Sequence, residues 1–292
     1  MKTGTLFGFG LRITSDLPVP GALSGESGDA GSAIRIALQV PDAAVPEMGF
    51  SRDGAAIIYR HPCGLYHCSQ DRIDVAAEGQ TKPQDLGELL VANALPALLW
   101  QQGAFMLHAA CLQLPDGPAV AIAGPSGAGK SRLAAHLIAA GAELIGDDSL
   151  ALSVTDQGIA AKGLPGGWFA RNADGTERHF RQAAMGQARG ECRLDLVVVL
   201  GEESVEATRL LPIEAIEQLL LNRHRPQVPL LLGRQASVLA QAAAIARQVP
   251  VARLSAQALI EANPIAAISF LTDLAQGASR VSPPLRIGSD RP

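Results

Sequence analysis

The sequence predicts an α/β fold preceded by a small β-rich domain, on three observations. Roughly the first 80 residues hold short runs of strand composition separated by Gly- and Pro-rich turns. From residue 119 onward apolar strands alternate with helical patterns, starting with AVAIA, a Gly-rich loop and the helix SRLAAHLIAA. Residues 194–200, LDLVVVL, form the continuous apolar run expected of a strand covered on both faces. A chain of 292 residues, 48% hydrophobic and 18% charged, suits one large domain or a domain with a smaller companion, with enough apolar residues for a sizeable core. The boundaries fall at 1–82 for the β-rich domain, 83–276 for the α/β domain and 277–292 for a loose tail without periodicity.

Each element has a local reason. LFGFGLRI and AIRIALQV have strand composition, and the Gly/Ser/Ala loop GALSGESGDAGSA lies between them. AAIIYRHP, GLYHCS and RIDVAAE follow as strands, and a small antiparallel sheet is expected. The polar stretch GQTKPQ marks the boundary near residue 82. DLGELLVANALPALLWQQG then predicts an apolar helix kinked at Pro96. FMLHAACLQL and AVAIAG predict two strands joined by the turn Pro115–Pro118. SRLAAHLIAAG predicts a helix closed by Gly141, and AELIGDD a buried strand that ends in two acids. Pro212 opens a helix through Leu221, a further helix runs from Arg234 to Arg247, VPVARL is a strand, and a last helix covers Ile265–Ala275.

Composition excludes several function classes. The 24 basic and 28 acidic side chains leave a net charge of −4, which disfavours nucleic acid or an anionic membrane as partner. The apolar stretch at the N-terminus is short and broken by Arg12 and Asp16, unlike a signal peptide. No apolar run reaches membrane-spanning length, so a soluble, cytoplasmic protein is expected. Cys63, Cys68, Cys111 and Cys192 are too few for a disulfide framework, and a reducing compartment fits. Lysine is scarce: Lys2, Lys82, Lys130 and Lys162 are the only four.

One of them sits in the strongest motif. GPSGAGKS, residues 124–131, matches G-x-x-x-x-G-K-[ST] between an apolar strand and a helix, the context this phosphate-binding loop needs. Gly124, Gly127 and Gly129 let the backbone turn tightly, so that amides of Ser126, Gly127, Ala128, Gly129, Lys130 and Ser131 can point inward at phosphate oxygens. The helix start adds its partial positive charge. Lys130 is placed to reach the β- and γ-phosphates, and the Ser131 hydroxyl to ligate Mg²⁺. The motif therefore predicts ATP and Mg²⁺ as ligands.

The second motif is Asp147–Asp148, which follows Lys130 after one helix and one strand. A right-handed β–α–β unit returns the second strand beside the phosphate loop, at the sheet end where ligands gather. Two adjacent carboxylates there can divide two tasks. One accepts a proton from an incoming hydroxyl, and the other holds the metal. No guanine-reading or switch motif accompanies them.

Together these residues carry a resemblance. HAACLQLPDGPAVAIAGPSGAGKSRLAAHLIAAGAELIGDD resembles the catalytic core of the HPr kinase/phosphorylase family, closely over residues 105–150 and loosely over the remaining C-terminal half. The resemblance implies a kinase core of that type, with Asp147 as base on a substrate serine, Asp148 as metal or orienting carboxylate and His108 beside the base. Lys130 and Ser131 keep the roles already given. The bifunctional members carry a further signature near LEIRGLG. Here the region reads KGLPGGWFARNADG, which speaks against phosphorylase activity and against HPr as acceptor. FGFGLRITSDLPVPGAL is similar to the opening of the shorter HPr-kinase-like proteins found with lasso-peptide biosynthesis enzymes. Those phosphorylate a hydroxyl, typically the C-terminal serine, of a precursor peptide.

The expectation is thus an ATP-dependent kinase acting on a serine or threonine hydroxyl of a peptide or protein, a lasso-type precursor peptide first. The alternatives are a kinase for a small molecule such as a free amino acid, and a nucleotide-binding regulatory module with little phosphotransfer. A homo-oligomer is left open. Taken without the resemblance, His108 reads as a core histidine on an apolar strand. The group His61, Cys63, His67 and Cys68 matches no standard zinc spacing. Arg171, Arg178, Arg181, Arg223 and Arg225 are candidates for the arginine that phosphoryl transfer often uses. The Gly-rich loop LPGGWF, with Trp168 and Phe169, is a candidate lid or peptide contact.

Overall fold

A computed structural model describes residues 5–24, 32–40, 47–171, 178–183, 190–201 and 207–277. It is a mixed α/β protein with several sheets. The Gly/Ser/Ala segment around 25–31 and the tail from 278 onward, both assigned to loops on sequence, lie outside the described residues.

The N-terminal strands are β1 (Thr5–Gly8), β2 (Leu11–Ser15), β3 (Leu23–Ser24), β4 (Ala33–Leu38), β5 (Gly49–Asp53), β6 (Ala56–His61), β7 (Gly64–Ser69) and β8 (Arg72–Ala77). They form one sheet in the order β3-β1-β2-β4-β8-β7-β6-β5. Two corrections follow. LFGFGLRI is not a single strand: Phe9 and Gly10 both take positive φ, 54° and 68°, and turn it into a tight hairpin whose loop geometry suits the strand twist. The sheet is mixed rather than antiparallel, because β2–β4 and β4–β8 pair in parallel.

A helical run follows, from α1 (Pro83–Leu89) through a π-turn (Leu90–Ala94) into α2 (Leu95–Gln101). The irregularity expected at Pro96 thus takes the form of that π-turn one step earlier. Pro96 carries no N–H for the Ala92 carbonyl one turn back, and the Arg225 Nε donates to that carbonyl instead, at 2.8 Å.

FMLHAACLQL also divides. β9 (Phe105–Leu107) and β10 (Ala109–Gln113) belong to different sheets, and His108 is the residue at the switch. After β10 come β11 (Ala119–Ala123), α3 (Lys130–Ala139), β12 (Glu143–Gly146), β13 (Leu150–Thr155), β14 (Gly158–Lys162), β15 (Gly167–Arg171), β16 (Arg178–Gln182), β17 (Glu191–Arg193) and β18 (Leu196–Leu200). The chain continues through β19 (Thr208–Arg209), α4 (Pro212–Leu221), α5 (Gln227–Leu231), α6 (Gln235–Gln248), β20 (Val251–Leu254), α7 (Ala256–Ile260) and α8 (Pro264–Ala275). The Gly-rich region after the acid pair, expected as an open loop, contains the hairpin β15–β16, whose pairing sets Trp168 opposite Arg181.

The central sheet runs β12-β10-β11-β18-β20-β19, and a second sheet runs β17-β14-β13-β9. In the central sheet β11, β18 and β20 are parallel. β12 runs in the same sense as β11, but β10 lies between them, antiparallel to both. The β11–α3–β12 unit is therefore split by one strand.

Alternation along these strands fills two cores. Ala121, Ala123, Val197 and Val199 face a large cluster that also holds Ile13, Ile36, Ile73, Leu90, Trp100 and Phe105. Val120, Ile122, Leu196 and Val198 face a second cluster with Leu133, Leu137 and Leu271. Each fully buried aliphatic side chain of this kind contributes about 1.5–3 kcal/mol.

Candidate active site

Three segments that carry chemistry leave the same end of the central sheet. Ala109 pairs with Ala123, and Cys111 with Gly146. That register sets His108 just before β10, Gly124 just after β11 and Asp147 just after β12, all at one edge of the molecule's central layer. It is the edge formed by the carboxyl ends of the parallel strands, where open α/β sheets bind ligands.

Residues 124–129 wrap from β11 to α3. Gly124 and Gly129 take φ of 142° and 96°, which only glycine adopts without strain. A Cβ at Gly124 would also press on the Leu200 carbonyl at 3.0 Å, and one at Gly129 on the Ala256 Cβ at 3.2 Å. Pro125, Ser126 and Gly127 form the exposed rim, while Ala128 and Gly129 are half-buried. The Lys130 ammonium donates across the loop to the carbonyls of Gly124, 2.8 Å, and Pro125, 3.1 Å. Ser131 stands in the first turn of α3, where a helix start directs its amides and partial positive charge outward. A rimmed cradle, a cation spanning it and a hydroxyl in the adjacent turn fit a nucleotide's phosphates with a bound Mg²⁺.

The two acids form a tight turn. Ser149 N–H donates to the Asp147 carbonyl at 2.8 Å while Asp148 holds φ of 69°, the γ-turn of the rarer, positive-φ kind. Such a backbone costs about 1–3 kcal/mol and persists only where its surroundings hold it. They do so here. His108 Nδ1 lies 2.8 Å from the Asp148 carbonyl oxygen, and His224 Nδ1 lies 2.9 Å from the same atom. The two rings meet edge to face with centroids 5.3 Å apart. His108 Nδ1 is also 3.6 Å from the Asp148 carboxylate.

Electrostatics ties the segments together. Burial lowers the His108 pKa below its ordinary value; Asp148 opposes the shift, and Lys130 and Arg225 add to it. The charges of Lys130 and of Asp148 are thus both felt at His108. Burial first, then the Arg225 guanidinium, push His224 down to about 4 against the pull of Asp148. Both imidazoles are neutral near pH 7.

Asp147 and Asp148 open into a cavity of about 320 Å³. Its other walls come from α1 (Asp85, Glu88), the π-turn (Ala92), the β6–β7 turn (His61, Cys63) and the β15–β16 hairpin (Trp168). Its volume is in the range of small-molecule sites.

The sequence candidates therefore divide. The structure brings His108 and Asp148 together, with Asp147 on the same turn and the 124–131 loop at the same sheet end. Cys68 is buried and donates to the Ala94 carbonyl, and His61 accepts from the Cys63 amide; among the described residues the ligand atoms gathered within 4.8 Å of one another belong to His108, Asp148 and His224 and not to the group His61, Cys63, His67 and Cys68. Arg223 donates to Leu220, and Arg225 reaches the cavity wall at Ala92. Arg181 is exposed; the side chains of Arg171, Arg178 and Phe169 lie outside the described residues. Trp168 lines the cavity. Sequence alone does not single out His224, which sits in the cation-rich string NRHR after α4 between the two candidate arginines Arg223 and Arg225.

No protein-family model matches the chain, and no curated protein sequence does. Among solved structures, the Hpr(Ser) kinase/phosphatase from Coxiella burnetii aligns with 59% of this chain and 96% of its own, at 16% identity and a TM-score of 0.37. At that level the similarity says nothing about activity.

Proposed function

We propose that the protein is an ATP-dependent kinase that phosphorylates a serine or threonine hydroxyl of a peptide or protein. The observation that carries this reading is the convergence of the 124–131 loop, His108 and the Asp147–Asp148 turn at one sheet end, beside a cavity of about 320 Å³ lined by both acids. The loop amides of residues 126–131 and the Lys130 ammonium would hold the phosphates of ATP. Ser131 and Asp148 would hold Mg²⁺, which when bound neutralises charge on the phosphate oxygens. Asp147 takes the proton of the acceptor hydroxyl as its oxygen bonds to the γ-phosphorus; the bond from that phosphorus to the β,γ-bridging oxygen breaks, and ADP leaves. His108 stands next to this turn as a neutral imidazole, orienting it rather than adding charge.

A lasso-type precursor peptide is the first acceptor to try, because of the N-terminal string FGFGLRITSDLPVPGAL. A second reading, a small-molecule hydroxyl kinase, is favoured by the cavity's size, about 320 Å³. The test supplies γ-labelled ATP with Mg²⁺ and, in parallel, a precursor peptide ending in serine and free serine, followed by mass mapping. Label on the peptide hydroxyl supports the first reading, and label on free serine alone supports the second. Label on neither, with nucleotide bound, would leave a regulatory nucleotide-binding module.

A further inference from the structure

His224 lies 76 residues beyond Asp148 and outside both motifs, yet its ring meets the backbone of the acid pair. A carbonyl oxygen only accepts hydrogen bonds, so the approach of both Nδ1 atoms to the Asp148 oxygen fixes both rings in the Nδ1–H tautomer. Two donors fill that oxygen's two lone pairs. The Ser149 hydroxyl, 2.8 Å from His224 Nδ1, is a second acceptor for the same proton. The His224 backbone is itself pinned: its N–H donates to the Met106 carbonyl at 2.9 Å, and its carbonyl accepts from the Trp100 indole at 2.8 Å. Beside it, the His108 N–H donates to the Asn222 carbonyl at 2.8 Å, and Leu107 pairs with Arg223 in a β-bridge. His224 is 4% exposed. The fold thus goes to some length to bury one imidazole against one carbonyl, that of the central residue of a γ-turn that is unfavourable on its own.

We propose that His224, acting with His108, is a positioning residue: the two Nδ1–H groups clamp the Asp148 carbonyl and so hold the γ-turn that presents Asp147 and Asp148. The role assigned to the presented carboxylates rests on the kinase reading; the clamp itself does not. In an unclamped turn Asp148 relaxes out of positive φ, and both carboxylates turn away from the places the phosphate loop requires. The effect belongs in turnover rather than in nucleotide binding, because the loop and Lys130 are on separate segments.

The test compares His224→Leu, which keeps bulk and removes the donor, with His224→Asn, whose amide nitrogen can occupy the place of Nδ1. In the full-length protein, His224→Leu is expected to lower kcat roughly 100-fold, the scale of a displaced reactive group, with the KM for ATP within about twofold. His224→Asn recovers at least about tenfold of that loss. Equal losses in both variants, or a folded His224→Leu with kcat within about threefold of the parent, overturn the proposal. A readout that needs neither variant nor activity is the imidazole ¹⁵N spectrum of the unmodified protein, in which both rings should show the neutral Nδ1–H tautomer at pH 7. Nε2–H on His224 overturns the clamp. A chain that transfers no phosphate at all defeats the kinase reading, while the ¹⁵N spectrum still decides the clamp. His108, Asp148 and His224 also offer ligand atoms within 4.8 Å of one another. Stoichiometric Zn²⁺ binding that strips the Nδ1 protons would overturn the clamp in favour of a metal centre.

Discussion

His224 is buried where the segment 222–225 lies against residues 106–108. Its burial has a consequence for stability. The folded protein holds His224 near 4, below the ordinary histidine value of about 6.5, so the unfolded chain binds the proton more readily. That contribution is fully present above about pH 6.5 and is lost as pH falls toward 4, levelling off below it. The groups facing the ring are Asp148, Ser149, His108, Arg225 and Trp100, and His108 shifts in the same direction. Urea unfolding should therefore show stability falling by about 2 kcal/mol more between pH 7.5 and pH 5 in the parent than in His224→Asn. Parallel pH profiles for the two proteins would remove His224 as the source.

The 124–131 loop and α3 are legible as one unit, because strand, Gly-rich turn and helix are contiguous and each signal is local. Helix α4 was equally plain, opened by Pro212 and closed at Leu221 as the apolar periodicity required. What the sequence hid were breaks imposed by neighbours. FMLHAACLQL has unbroken strand composition, and only the existence of two sheets explains why it changes partner at His108. LFGFGLRI reads as a strand until Phe9–Gly10 turn it back and the Phe9 N–H bonds to the Gly163 carbonyl. In the loop itself Gly129 can be tested directly. Alanine there must hold a left-handed backbone and place a Cβ 3.2 Å from that of Ala256. A cost of about 1–2 kcal/mol is expected, with nucleotide binding weakened about tenfold by titration. Unchanged affinity would mean that the loop tolerates another shape than the one described.

The molecule as a whole explains why the candidate site has its walls. The large core cluster includes residues of the first sheet, of the α1–α2 run and of the central sheet, so these parts pack against one another around Trp100 and Phe105. The cavity at the acid pair lies at the rim of that packing and draws lining from the first sheet, α1, β12's exit and the β15–β16 hairpin. None of this assembly is readable from any one motif. Among the described residues no helix is long and apolar enough to cross a membrane. Net charge gives no hint of the site either, because the 124–131 loop gathers backbone amides and the Lys130 ammonium locally within a chain of net −4.

Everything proposed about activity depends on Asp147 as the base. Asp147→Asn keeps the size and polarity of the side chain and removes its ability to take a proton. Phosphotransfer from ATP to the acceptor identified by mass mapping should fall by about 10²–10⁴-fold, while the affinity for ATP·Mg²⁺ in the same variant stays within about twofold. Transfer at the parent rate from a folded, nucleotide-binding Asp147→Asn protein would show that the proton goes elsewhere and that this turn is not the catalytic one.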